Sequence, residues 1–144
     1  MKKFVFSMEK ILSLRRFEQQ AAESELAKVI AEINRIQNEL DEVARKKAGT
    51  IKVSDANDDF YFKSSAQNYI FFLDQKVNSL QEEMVRQQIL AEEKRKVVRK
   101  AIQKVKVLEK LNEKEFKEWK KAVETEEEND NDDLNIARKF SDSL

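Results

Sequence analysis

A chain of 144 residues with one glycine, no proline and no cysteine has little chemistry for tight turns, which argues against a sandwich, a barrel or an α/β fold. Charged residues make up 39% of it, well above the quarter usual in globular domains; that fits a coiled coil rather than a thick core. The 28 basic and 28 acidic residues cancel, which speaks against a dominant nucleic-acid role, and the missing cysteines remove a disulfide framework and thiol chemistry, in keeping with a reducing cytoplasm. No apolar run approaches a membrane span. Met1-Lys2-Lys3-Phe4-Val5-Phe6 opens like the basic region of a signal peptide, but Ser7, Glu9 and Lys10 interrupt the apolar run.

Taken in order, the first helix is expected over residues 5–48, with an apolar stripe of Ile11, Leu14, Ala22, Leu26, Val29, Ile33, Ile36, Leu40 and Val43. From Ala22 the spacing is strictly three and four. Between Leu14 and Ala22 the register drifts, with Phe17 and Ala21 on one flank and Glu18 on the seam. Gly49, just past Lys46 and Lys47, has the look of a C-cap. Residues 49–55 form the expected turn, with Ser54 or Asp55 capping a second helix over 56–127.

That second helix carries the longest heptad seam in the chain: Ala66, Ile70, Leu73, Val77, Leu80, Met84, Gln87, Ala91, Lys94, Val98, Ala101, Val105 and Leu108. So short a connection makes the two helices antiparallel neighbours. The expected fold is therefore all-α: an antiparallel coiled-coil hairpin, the second helix longer than the first, forming one domain over 1–144. Pairing back from a turn at 49–55 leaves the face from Val98 through Trp119 without a partner in the first helix. That face must meet the N-terminal aromatics, another copy or another protein. Residues 128–144 are expected to be an acidic, mobile tail.

No histidine or cysteine is present, and a single glycine excludes a phosphate-binding loop or a dinucleotide fingerprint. The carboxylates fall on helix faces at ordinary ion-pair spacing. Asp55-x-Asn57-x-Asp59 imitates the start of a calcium loop, but Phe60 stands where that loop needs glycine and Ala66 where it needs glutamate. Helix capping is the better reading, and no enzyme, metal site or cofactor is expected. Two groups carry more information. Tyr69, Phe71 and Phe72 flank the seam residues Ile70 and Leu73; they either widen the core near the turn, with Phe60 and Phe62 folded over, or form an exposed docking patch. Phe4, Phe6, Met8, Ile11, Leu12 and Leu14, beside Arg15 and Arg16, either pack on the second helix or form an insertion tip. Gln87, Lys94 and Glu18 are polar seam positions that fix register at some cost in stability.

Phe4-x-Phe6-x-Met8, Ile11-Leu12-x-Leu14-Arg15, Glu18, Ala21, Glu25-Leu26-Ala27, Tyr69-x-x-Phe72-Leu73, Val107-Leu108-Glu109-Lys110-Leu111 and Leu134-x-x-Ala137-Arg138 occur in an order and spacing that resemble the FliJ family of flagellar export proteins. The resemblance covers nearly the whole chain. It implies a non-enzymatic, cytoplasmic component of the flagellar type III export apparatus, peripheral to the inner membrane at the flagellar base through its partners only. Those partners are the hexameric export ATPase, the cytoplasmic domain of the export gate, and export chaperones. By position, the implied ATPase contacts are Phe6, Met8, Ile11, Leu12, Arg15, Arg16, Val105, Leu108 and Leu111. The implied gate contacts are Tyr69, Phe71, Phe72 and Lys76, the last standing where the resemblance implies an apolar residue. The alternatives are a homodimeric scaffold or spacer, in which the face from Val98 to Trp119 pairs with its own copy, and a coiled-coil secretion chaperone.

Overall fold

The computed structural model describes residues 3–143; Met1, Lys2 and Leu144, which the single-domain reading includes, lie outside the described residues. Two helices account for nearly all of it: α1, Glu9–Asp55, and the longer α2, Phe60–Asp142. They pack antiparallel as a coiled-coil hairpin, with no strand among the described residues. Two compact units are distinguishable, one comprising residues up to Gln19 and those from Lys100 on, the other Gln20–Arg99.

The second unit contains the turn. Gly49 does not end α1. It lies inside the helix without a positive φ, and α1 runs on to Asp55, where Ala56 N–H donates to Lys52 O and Asn57 N–H to Ser54 O. A helix interior tolerates glycine at about 1 kcal/mol relative to alanine, which a long packed helix can carry. Thr50 Oγ1 donates to Lys46 O at 2.8 Å, and Lys47 and Thr50 are half-buried, so the last turns of α1 keep facing α2. The cap of α2 is Asp59, not Ser54 or Asp55: Tyr61 N–H donates to its carboxylate at 3.1 Å. Asn57 Oδ1 accepts from Asp59 N–H at 2.9 Å, an Asx turn that aims the chain into α2. Of the Asp55-x-Asn57-x-Asp59 motif, Asn57 and Asp59 are thus spent on the turn and the cap, while Asp55 is the last residue of α1.

Moving the turn toward the C-terminus shifts the antiparallel pairing by two residues for each residue moved. In the Gln20–Arg99 unit the core therefore joins Ile36 and Val43 to Leu73 and Leu80, with Leu40, Val77 and Met84 packed against them. Ile36 is fully buried. Ala66, Ala91 and Val98 on α2 are buried too, and Gln87 and Lys94 are half-buried on the same seam. Arg35 bridges the helices. Its guanidinium reaches Glu32 at 2.6 Å and Glu39 on its own helix, and Glu83 on α2 at 3.0 Å. Lys47 meets Asp74 at 2.7 Å across the same interface.

In the other unit the seam of α1 passes through Leu12, 1% exposed, and not through Ile11 and Leu14, which are exposed. Stepping back from Ala22 by three and four gives Gln19, Arg15 and Leu12, so the apparent drift disappears and Leu12 takes the buried position. Phe6 and Leu12 form a core with Val105 and Leu108, against which Phe4, Met8 and Leu111 pack. Residues 3–8 are not helical. Phe6 O accepts from Glu9 N–H and Met8 O from Leu12 N–H, while Ser7 Oγ donates to the Glu115 carboxylate at 3.1 Å. Phe4 meets Phe116 edge-on, ring centres 5.3 Å apart, and Trp119 at 5.8 Å. The α2 face expected to lack a partner is therefore covered from within the chain: Val98, Ala101, Val105 and Leu108 are buried, and Phe116 and Trp119 meet Phe4. Beyond Val123 α2 stays helical to Asp142, where an end near Glu127 was expected, with its residues exposed.

Gly49 has nothing within 4 Å of an added Cβ. Gly49→Ala is expected to raise stability by about 0.5–1 kcal/mol in urea unfolding, the sign opposite to that of a left-handed C-cap glycine. Ile36→Ala is expected to lower it by roughly 2–5 kcal/mol in the same measurement. The Glu32 carboxyl is held below its ordinary value of 4.5, chiefly by its hydrogen bond to Arg35. A depressed carboxyl stabilises the fold above its unfolded pKa, and that contribution is lost as pH falls through the folded pKa. Arg35→Gln is therefore expected to raise the Glu32 titration midpoint toward 4.5 in carboxyl-resolved NMR. It should lower the melting temperature at pH 7 more than at pH 3.

Candidate functional site

A chain that spends its buried apolar residues on one seam leaves everything off the seam in water, so function is read from what remains exposed. Two exposed groups stand out, one in each unit.

In the unit that carries the chain's beginning, the sequence-implied contacts divide by burial. Phe6, Leu12, Val105 and Leu108 are core, and Met8 and Leu111 lean on that core. Their side chains are committed to holding the N-terminal segment on α2. Ile11 and Leu14 point to solvent, together with Phe17, one turn beyond Leu14. Phe17 was placed on a flank of the seam and not among the contact residues. The three-residue steps Ile11, Leu14, Phe17 were the available signal, running along the helix beside the buried Leu12. Arg15 donates to both Glu18 oxygens, at 3.1 and 3.0 Å, and Arg16 lies 3.6 Å from Glu109 on α2. This surface thus offers three large apolar side chains and two guanidinium groups that are half-neutralised and partly solvated.

The second group lies near the turn. Phe72 is 58% exposed, and Tyr69 and Phe71 are exposed with it. The Tyr69 and Phe72 rings lie nearly parallel, 22° apart with centres at 6.4 Å, and Lys76 is exposed one turn on. Phe60 and Phe62 do not fold over them. Phe60 and Tyr61 pair edge-on at 6.0 Å and are the most exposed aromatics in the structure. Phe62 and Tyr69 instead wall an open groove whose opposite side is Lys46, Gly49, Thr50 and Val53 of α1. Gly49 matters here as a gap: without a side chain it deepens the groove floor. Of the two readings of the aromatic block, the widened core is the one this packing does not support.

Among the described residues no group of three histidine, cysteine, aspartate or glutamate side chains could hold a metal ion, and no helix is long and apolar enough to cross a membrane. What the fold presents is contact surface: solvated aromatics on a helical scaffold whose own core is satisfied without them. A protein built this way is an all-α coiled-coil hairpin. The family model described as flagellar FliJ protein matches residues 4–142, and the chain belongs to that family, with a role in flagellar protein export. Neither curated proteins nor solved structures return a match.

Proposed function

We propose that this chain is the coiled-coil stalk of the flagellar type III export apparatus, a non-enzymatic component that engages the hexameric export ATPase with one surface and the export gate with another. The observation that carries the reading is the solvated aromatic group Tyr69, Phe71 and Phe72 beside the Phe62 groove. Large rings left in water on a scaffold this rich in charge are costly to keep unless a partner covers them. The gate's cytoplasmic domain is the partner assigned to them, with Lys76 at the rim. The ATPase contact is assigned to Ile11, Leu14, Arg15 and Arg16. Phe6, Met8, Leu12, Val105, Leu108 and Leu111 hold that surface in place from beneath. Export chaperones are a further class of partner, and location at the inner membrane at the flagellar base follows from the partners alone.

The ring can be influenced only through a difference in contact between its states. A stalk that touches some subunit arrangements better than others shifts the ring toward those, and so biases its assembly and ATP turnover. The scaffold alternative would need the α2 face from Val98 to Trp119 free for a second copy. Val98, Ala101, Val105 and Leu108 are already buried.

Replacing Tyr69 and Phe72 together with alanine is expected to weaken binding to the purified gate domain at least tenfold in calorimetry, with melting unchanged because both rings lie off the core. An undiminished affinity would remove the aromatic group from the gate contact. Arg15→Gln with Arg16→Gln removes the charges without setting a new carboxylate against Glu109. It is expected to reduce stimulation of the export ATPase severalfold while circular dichroism stays the same. Full stimulation would move the ring contact elsewhere.

A further inference from the structure

Zero net charge hides a strong segregation along α2. On the side of the helix away from the seam, Lys110, Lys114, Lys117 and Lys121 follow one another at steps of four, three and four, and the same stripe continues through Glu124 and Glu128. All six are exposed, and none has an ion pair among the described residues. An open groove runs along this face at Lys114, Lys117, Lys121 and Glu124. Within the stripe the lysines precede the glutamates, the less favourable order for pairs three or four apart, while Glu113 and Glu118, which precede Lys117 and Lys121 by four and three, lie on its flank.

We infer that this stripe is a self-complementary docking surface for a second copy of the chain. Two α2 helices laid antiparallel, with a two-fold axis passing between Ala122 and Val123, set Lys121 of each opposite Glu124 of the other and Lys117 opposite Glu128. Lys114 and Lys110 then face Asn131 and Asn135, so the stripe brings no like charges together. A two-fold interface of this kind uses the same patch on both copies, so each ion pair occurs twice. The seam at Val105 and Leu108 is untouched, because Phe6 and Leu12 already cover that side of α2. Exposed ion pairs are individually weak, so the dimer is weak too, with a Kd on the order of 1 mM at low salt. It differs from a scaffold paired through the apolar face of α2, and it does not depend on the stalk reading.

The test is sedimentation equilibrium of the full chain at about 20 and about 300 mM salt, with circular dichroism as the check on folding. The wild type is expected to show a concentration-dependent dimer at low salt and at least ~10-fold weaker association at high salt, as ionic screening shortens the reach of exposed charges. Lys117→Glu with Lys121→Glu makes the four central positions of the stripe (117, 121, 124 and 128) all acidic, and Glu124→Lys with Glu128→Lys makes the same four all basic. Each variant alone is expected to stay monomeric, and an equimolar mixture is expected to form a heterodimer about as tight as the wild-type dimer, since it restores the same four ion pairs. The inference is overturned by a wild type that remains monomeric at low salt up to about 1 mM, by charge variants that self-associate as well as the wild type, or by a mixture that does not associate. A dimer indifferent to salt also overturns it, by moving the contact to the exposed apolar residues Leu134, Ile136 and Phe140.

Discussion

The position of the turn governs everything else in this molecule. In an antiparallel pair of helices the turn sets which layer faces which, and an error of one residue displaces every pairing by two. Asp59 holds the first turn of α2, Asn57 shapes the approach to it, and α1 continues through Gly49 to meet them. With the turn there, Val43 belongs with Leu73 and Ile36 with Leu80, and Leu12 finds Val105 and Leu108. A turn several residues earlier would leave those α2 positions bare.

A single seam is also a thin core. Among the described residues Leu12 and Ile36 are the large side chains fully removed from water, and no polar residue is buried in compensation. Stability is therefore spread along the seam in small increments of apolar burial, with ion pairs such as Arg35 to Glu83 acting at the margins. Asn112 is half-buried, and its side-chain oxygen has no hydrogen-bond partner among the described residues. An unsatisfied oxygen there is a local cost, comparable to the polar seam positions that fix register in coiled coils.

How much of this was legible in the residues follows from the same geometry. The α2 stripe from Ala66 to Leu108 was readable, since a strict three-four alternation over many turns admits one face only. At the N-terminal end Ile11, Leu12 and Leu14 are all apolar within four residues, so hydrophobicity could not choose among them; only the register carried back from Ala22 selects Leu12. Gly49 misled for a related reason. Glycine is a capping signal when nothing supports the helix beyond it, and here Lys47 and Thr50 still lie against α2. The aromatic block near the turn was visible as a block, but whether Phe60 and Phe62 covered it depended on where α2 began. The capping chemistry of Asp59 decides that, and Asp59 competes with Ser54 and Asp55 within six residues.

Because the seam occupies one face of each helix, the remaining faces are free to carry chemistry that the fold does not need. Tyr69 and Phe72 can stack in water, and Lys117 and Lys121 can stand unpaired, without disturbing Leu73 or Leu108 a turn away. A globular core would not allow this separation, since a side chain there touches neighbours on several sides and a change for binding is also a change for stability. In a two-helix seam the two demands fall on different residues. The surfaces that matter for partners are then those where exposure is costly, as with the aromatic rings, or where charge is left uncompensated, as along the outer stripe of α2. Neither is visible in overall composition: the aromatic fraction is 8% and the net charge zero, and only their placement along the helices gives them meaning.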